Sequence, residues 1–245
     1  MATTFDVISE DFLKDLTAIS DLVEAVRSVG ASARARIASI NSSTLLLAAT
    51  FEEYVREMGR QYARELVLRV NDPQKLPRKL TATAWKRTLE QLARAKIDTG
   101  GTPLSLVHIS SEARASFDSV WEFLGGDLTQ DIYSSLIHNE NNMRPGEINA
   151  VFSVCELKDI CLKISSKQEL KDHFNEDDER KVHGLFMTAI NDFMEKRNDI
   201  AHALNVENSI GVDDFHKTLD LMKAFSSALS SYLPLYLLEL PAEAA

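Results

Sequence analysis

The chain has 245 residues, 27 of them Lys or Arg against 37 Asp or Glu, and a formal net charge of −10. A 44 % hydrophobic share with 26 % charged residues can fill a core, which excludes wholesale disorder, and 9 Gly with 6 Pro is a low breaker count that favours helices over a turn-rich β fold. Two cysteines, Cys155 and Cys161, have neither a disulfide-framework nor a thiolate-zinc spacing, so both are expected as reduced thiols.

Apolar residues recur at steps of three and four with almost no two-residue alternation, so the fold class expected is all-α. A first helix is expected from Ser9 through Leu13, Leu16, Ile19, Leu22 and Val26, stopping near Gly30. A second covers residues 31–70 with a permitted break at Asn41-Ser42-Ser43, and it carries Leu46, Leu47, Phe51, Tyr54, Met58, Tyr62 and Leu66 inward before Asn71-Asp72-Pro73. Thr81 or Thr83 starts a third through Trp85, Leu89 and Leu92; Gly100-Gly101-Thr102-Pro103 marks a loop, and residues 104–109 read as briefly extended. Phe117, Val120, Trp121 and Leu124 form the next periodic stretch up to Gly125-Gly126, and Pro145 opens a helix through Ile148, Val151, Phe152 and Cys155.

Ser166-Lys167-Gln168-Glu169 has the form of a capping box. The acids of Asn175-Glu176-Asp177-Asp178-Glu179 suit a helix start, and the long segment after them turns Leu185, Phe186, Ala189, Ile190, Phe193 and Met194 to one side. A last helix begins near Asp213 with Phe215, Leu219, Leu221, Met222, Phe225 and Leu229, and Pro234 kinks or ends it. The start of the chain has no basic and apolar leader pattern, and the apolar stretch 229–240 contains Pro234 and Glu239 and is too short for a bilayer span. No membrane association and a cytoplasmic location are therefore expected.

The chemistry concentrates where the late stripe is broken. Three residues beyond Met194 stands Arg197, a guanidinium where periodicity asks for an apolar side chain, in the run Arg197-Asn198-Asp199-Ile200-Ala201-His202. A charge on the inward side of a helix must be paired or lie at a cleft. At 100° per residue His202 lies about 140° round from Arg197, whereas Asn198 and His202 share a ridge. One straight helix does not aim all three at a point, but a substrate lying along it, or a second copy of the helix across a two-fold axis, can meet them all. A paired arginine and a histidine favoured by the C-terminal helix dipole would account for the same residues without catalysis.

The Arg197-Asn198-x-x-x-His202 spacing, at the end of a long helix late in an all-α chain, resembles the signature of the HEPN superfamily. The segment Ala48-Ala49-Thr50-Phe51-Glu52-Glu53-Tyr54-Val55 and the run Asn141-Asn142-Met143-Arg144-Pro145 are similar to its RiboL-PSP-HEPN-like branch. The resemblance covers roughly residues 40–235 and implies a bundle of long antiparallel helices, with 41–240 as the HEPN-like domain and 1–40 as a helical extension. It further implies a metal-independent endoribonuclease, without cofactor, acting as a homodimer on RNA. The setting it implies is a toxin or a defence system, where an antitoxin or regulatory protein is a further partner. In that reading Arg197 holds the scissile phosphate, His202 is the general acid or base, Asn198 orients the backbone or 2′-hydroxyl, and Glu52 or Glu53 fixes the Arg197 rotamer. The alternative is a non-catalytic all-α dimerisation or interaction module.

Charge is uneven along the chain. Between Arg56 and Lys96 eleven bases face four acids, a net +7 in a chain of −10. Arg56, Arg60 and Arg64 step along one ridge as a candidate RNA-binding strip, or else pair with the acids of their own helix. Tyr54, Tyr62 and Trp85 can stack on bases or fill the core. No phosphate-loop, dinucleotide-binding or zincin motif occurs, and the remaining histidines are scattered without metal-ligand spacing, so no metal is expected.

Overall fold

A computed structural model describes residues 3–94, 111–138, 142–202 and 210–240. Among the described residues there are ten helices and no strand: α1 (Thr4–Ser28), α2 (Ala33–Val70), α3 (Arg78–Arg94), α4 (Ser111–Leu124), α5 (Tyr133–Leu136), α6 (Pro145–Ser153), α7 (Ile160–Ile164), α8 (Gln168–Phe174), α9 (Glu179–His202) and α10 (Val212–Glu239). The all-α expectation is met. The expected Gly100–Pro103 loop and the extended stretch at 104–109 lie outside the described residues, as do Lys96 and Asn141.

The bundle is organised round α2, which packs against α1, α5, α6, α9 and α10. It runs unbroken through Asn41-Ser42-Ser43, where the sequence permits a break. Thr44, which follows that run, is buried and turns its hydroxyl onto the Ile40 carbonyl at 2.8 Å, bonding back along the helix. The helix ends at Asn71, whose left-handed conformation (φ 46°) lets its N–H close onto the Val67 carbonyl.

Helix α1 begins five residues before the expected Ser9, because Thr3 and Asp6 close a capping box: the Asp6 N–H donates to Thr3 Oγ1 at 3.2 Å and the Thr3 N–H to Asp6 Oδ2 at 2.7 Å. Ser9 is free for another task. Its hydroxyl meets the Tyr54 hydroxyl at 2.9 Å, and Ser226 Oγ donates to the same phenol at 3.0 Å, so one buried network ties α1, α2 and α10. Around it the rings interlock: Phe12 stacks on Tyr54 at 4.2 Å, and Phe225 meets Phe51 at 5.3 Å and Phe186 of α9 at 5.5 Å.

At α2 and α6 the packing is closer still, since a Cβ on Gly59 would collide with Val151 Cγ1. Pro234 neither ends α10 nor stops its burial; the helix continues to Glu239, with Leu237 in the core. The expected capping box at Ser166 does not form: Lys167 is the N-cap of α8 and Ser166 Oγ bonds back to the Lys163 carbonyl at 2.7 Å. Helices α3 and α4 lie side by side, with Trp85 about equally near Phe117 and Trp121 at 5.9 Å. Both cysteines are buried and free, and no described helix is long and apolar enough to cross a membrane.

Candidate functional site

Helix α9 buries Val182, Phe186, Ile190, Phe193 and Met194, and the same side then presents Arg197, half-buried. The residue that meets it comes from the segment leading into α6. Arg197 Nη1 donates to Asn142 Oδ1 and to Asn198 Oδ1, each at 3.0 Å, while Asn142 Nδ2 donates to Asn198 Oδ1 at 2.7 Å. Three polar side chains thus form a closed triangle.

Local sequence holds Asn142 in place. Pro145 supplies a pre-set φ at the first turn of α6, the Glu147 and Ile148 amides donate to the Arg144 carbonyl, and the fully buried Met143 anchors the turn between Asn142 and Arg144. Arg144 then reaches α9 at Glu195, 3.4 Å away, three residues before Asn198, so two neighbouring rungs join the α6 lead-in to one face of α9.

The electrostatics of the triangle are lopsided. Among the described residues Arg197 has no carboxylate partner, and its guanidinium rests on two neutral amide oxygens. Its Nε is buried and makes no hydrogen bond there. A guanidinium oriented by amides and not neutralised by an acid keeps its charge for an anion. His202 is the last residue of α9 and is exposed, and Asn198, one turn before it, is half-buried. The helix stays regular through His202, so the rotation of about 140° between Arg197 and His202 holds. The structure therefore brings Arg197 and Asn198 together, and sets His202 on the outer end of the Asn198 ridge.

Glu52 and Glu53 do not meet Arg197. Glu52 is the inward one, with Oε2 taking a bond from Arg56 Nη2 at 3.1 Å and Oε1 buried without a partner among the described residues. Glu53 faces solvent and accepts from Arg56 Nη1 at 2.8 Å and Arg60 Nη1 at 2.7 Å. Partial burial pushes the Glu53 carboxyl up, but the Arg60 and Arg56 bonds outweigh it and hold the group below its ordinary value. The expected support of the Arg197 rotamer by either acid is thus replaced by Asn142 and Asn198.

The same contacts occupy the ridge of arginines. Arg60 also binds Glu57 at 2.8 Å, and the guanidiniums of Arg56 and Arg60 are mostly covered. Arg64 lies over the Tyr133 ring at 4.8 Å and donates to Gln61 Oε1 at 3.0 Å. Over residues 52–60 three acids face two bases, so this strip is an internal ladder with a net charge of −1. Tyr54 and Tyr62 are core residues; Trp85 is half-buried. Asn142 is the member that pattern reading did not assign a role, because its contact with Arg197 spans 55 positions; the signal available was a polar side chain just ahead of a helix-opening proline.

A family model for RiboL-PSP-HEPN matches residues 10–234. Comparisons with curated proteins and with solved structures gave no match. The matched stretch takes in α9 with Arg197 and His202, the α6 lead-in with Asn142, and the α2 segment with Glu52 and Glu53, and the chain belongs to the RiboL-PSP-HEPN family.

Proposed function

We propose that the protein is a metal-independent endoribonuclease whose site is completed in a homodimer by the ends of two α9 helices. The observation that carries this reading is the Arg197 guanidinium, half-buried and oriented by Asn142 and Asn198, with no carboxylate to cancel its charge among the described residues. In the reaction a base removes the proton of the RNA 2′-hydroxyl, whose oxygen attacks the adjacent phosphorus. The 5′-oxygen leaves as it takes up a proton, giving a 2′,3′-cyclic phosphate and a 5′-hydroxyl. Imidazole suits the proton transfers near neutral pH, so His202 is assigned as base or acid. Arg197 stabilises the charge that builds on the phosphorane, and Asn198 orients the phosphate or the 2′-hydroxyl.

The dimer enters because of the helix geometry. Arg197 and His202 of one α9 point about 140° apart, and a two-fold related α9 supplies the missing direction. A role as a toxin or in defence, with an antitoxin or regulator as partner, belongs to the same proposal.

The test is incubation of purified protein with a mixed RNA pool in EDTA, with Arg197→Ala and His202→Ala alongside. Cleavage leaving 2′,3′-cyclic phosphate ends, lost in both variants while folding persists, is the expected result. Absence of cleavage by the parent protein, or equal cleavage by all three, overturns it in favour of the interaction module. That second reading draws on the exposed Trp121, 61 % accessible beside Trp85 and Phe117, an apolar surface of the kind that docks partners.

A further inference from the structure

A second basic feature lies on α3, away from the arginine ladder of α2. Lys79, Thr83, Lys86, Arg87, Gln91 and Arg94 share one side of this helix, and a hollow of about 400 Å³ opens between that side and the α5 region, where Ser135 and His138 line it. Every described residue that lines the hollow is polar. Among the described residues that line it Glu90 is the acid, 3.7 Å from Lys86 in an exposed pair that holds little charge back, and Glu147 of α6 adds an electrostatic attraction to Arg87. Over residues 78–94 five bases face a single acid, a net +4 within a chain of −10. The contrast with α2 is direct, because there three acids offset two arginines.

The hollow is also built into the fold. Arg87 Nη1 donates to the Leu136 carbonyl, and Ser116 of α4 bonds both Gln91 at 3.0 Å and Ser135 at 2.7 Å, so α3, α4 and α5 hold its walls. Lys79 donates to Ser153 Oγ of α6 at 2.7 Å, which ties the near end of the stripe to the helix whose lead-in carries Asn142. From Leu136, the partner of Arg87, to Asn142, the partner of Arg197, the chain runs six residues, at most about 20 Å. A strand that crosses the α3 stripe can therefore reach the Arg197 triangle within a few nucleotides.

We infer that the α3 face, with Lys86, Arg87 and Arg94 round the hollow, is a binding track for the phosphate backbone of single-stranded RNA that leads into the Arg197 site. This deepens the ribonuclease reading and rests on it for the identity of the strand. An all-polar lining with bases spaced along a helix suits repeating phosphates. An acidic peptide would ask for an apolar anchor, and the described residues of the hollow offer none.

The test measures anisotropy of a short fluorescent 2′-O-methyl oligouridylate across a chloride series. That probe cannot be cut by its own 2′-hydroxyl, so binding is read apart from cleavage. Lys86→Gln with Arg94→Gln is compared with Lys217→Gln and Lys223→Gln on α10, and circular dichroism checks each fold. Arg87 is left in place, because its bond to Leu136 is structural. Two lost phosphate contacts should lower the slope of log affinity against log salt by about 1.4, while the α10 variant keeps the parent slope. No binding by the parent protein, or equal losses in both pairs of variants, overturns the track. So does tighter binding of oligoglutamate with the same α3 dependence, which points to an acidic protein partner. Binding that depends on α3 without any cleavage of RNA leaves the track standing and removes only the ribonuclease reading; cleavage indifferent to the α3 variants does the reverse.

Discussion

Asn142 accepts a hydrogen bond from Arg197 and donates one to Asn198, at 3.0 and 2.7 Å, so a single amide fixes two candidate catalytic side chains. Its oxygen suits the cationic arginine and its nitrogen suits the carbonyl of the second amide, a combination that neither aspartate nor leucine reproduces. Asn142→Ala should cost about 1.5 kcal/mol, because a charged donor in a half-buried place loses one acceptor. Asn142→Asp gives Arg197 a carboxylate but sets an acceptor against Asn198 Oδ1, so the two effects oppose and its thermal midpoint should stay close to the parent's. RNA cleavage should fall in both. Activity retained in the Asp variant would show that the charge on Arg197 is not what the site uses.

Alkaline stability provides a separate check on the core. Burial pushes the Cys155 thiol from 9.0 up to about 12 and Cys161 higher still, and Tyr54, Tyr133 and Tyr232 rise from 10.0 to about 12. These acids ionise more readily in the unfolded chain, so folding is favoured below the unfolded values and stability falls as pH rises through about 9 for the thiols and about 10 for the phenols. Each buried thiol should contribute a slope of about 1.4 kcal/mol per pH unit above its unfolded value. Urea titrations at rising pH, with Cys155→Ala for comparison, measure this; a variant slope equal to the parent's would place Cys155 outside the core.

Gly59 tests the closeness of α2 and α6. Alanine is the better helix former, yet its Cβ would press on Val151 Cγ1, so Gly59→Ala should destabilise by about 1–3 kcal/mol against any gain in propensity. Adding Val151→Ala removes the obstructing methyl and should recover part of that loss. A thermal midpoint unchanged by Gly59→Ala alone would mean the helices sit farther apart.

Much of this arrangement is legible in the sequence, and the parts that are not share a cause. Most of the inward faces of α2, α9 and α10 follow from residues three and four apart, although Leu46 and Leu185, expected inward, are about half exposed, and the same spacing picks out Arg197, which stands where Phe193 and Met194 lead the eye to expect another apolar residue. Contacts across many positions leave no such trace, and Asn142 with Arg197 is one of them. The Arg56, Arg60 and Arg64 ridge misleads for the opposite reason. Its neighbours Glu52, Glu53 and Glu57 are as local as the arginines, and the ridge becomes a ladder once i,i+3 and i,i+4 pairs close. The Ser9 start fails because Thr3 and Asp6 offer a fuller cap upstream, which leaves Ser9 to join the Tyr54 network.

The composite site has its sharpest test in mixed dimers. Arg197→Ala and His202→Ala should each abolish cleavage as homodimers, since every site then lacks either the charge or the proton carrier. Mixed after unfolding and refolding together, the two variants form some dimers in which one protomer supplies Arg197 and its partner supplies His202. If one chain's guanidinium works with the other chain's imidazole, which would gather two groups that point about 140° apart on a single α9, the mixture should recover measurable activity. If each chain works alone, no chain in the mixture is complete and activity stays absent. Recovery at fixed total protein should grow with the fraction of mixed dimers, which tagged protomers and sequential affinity capture would quantify. A mixture in which mixed dimers are demonstrably present but cleave nothing would sink the shared site, because the missing function is then available across the interface and is not used.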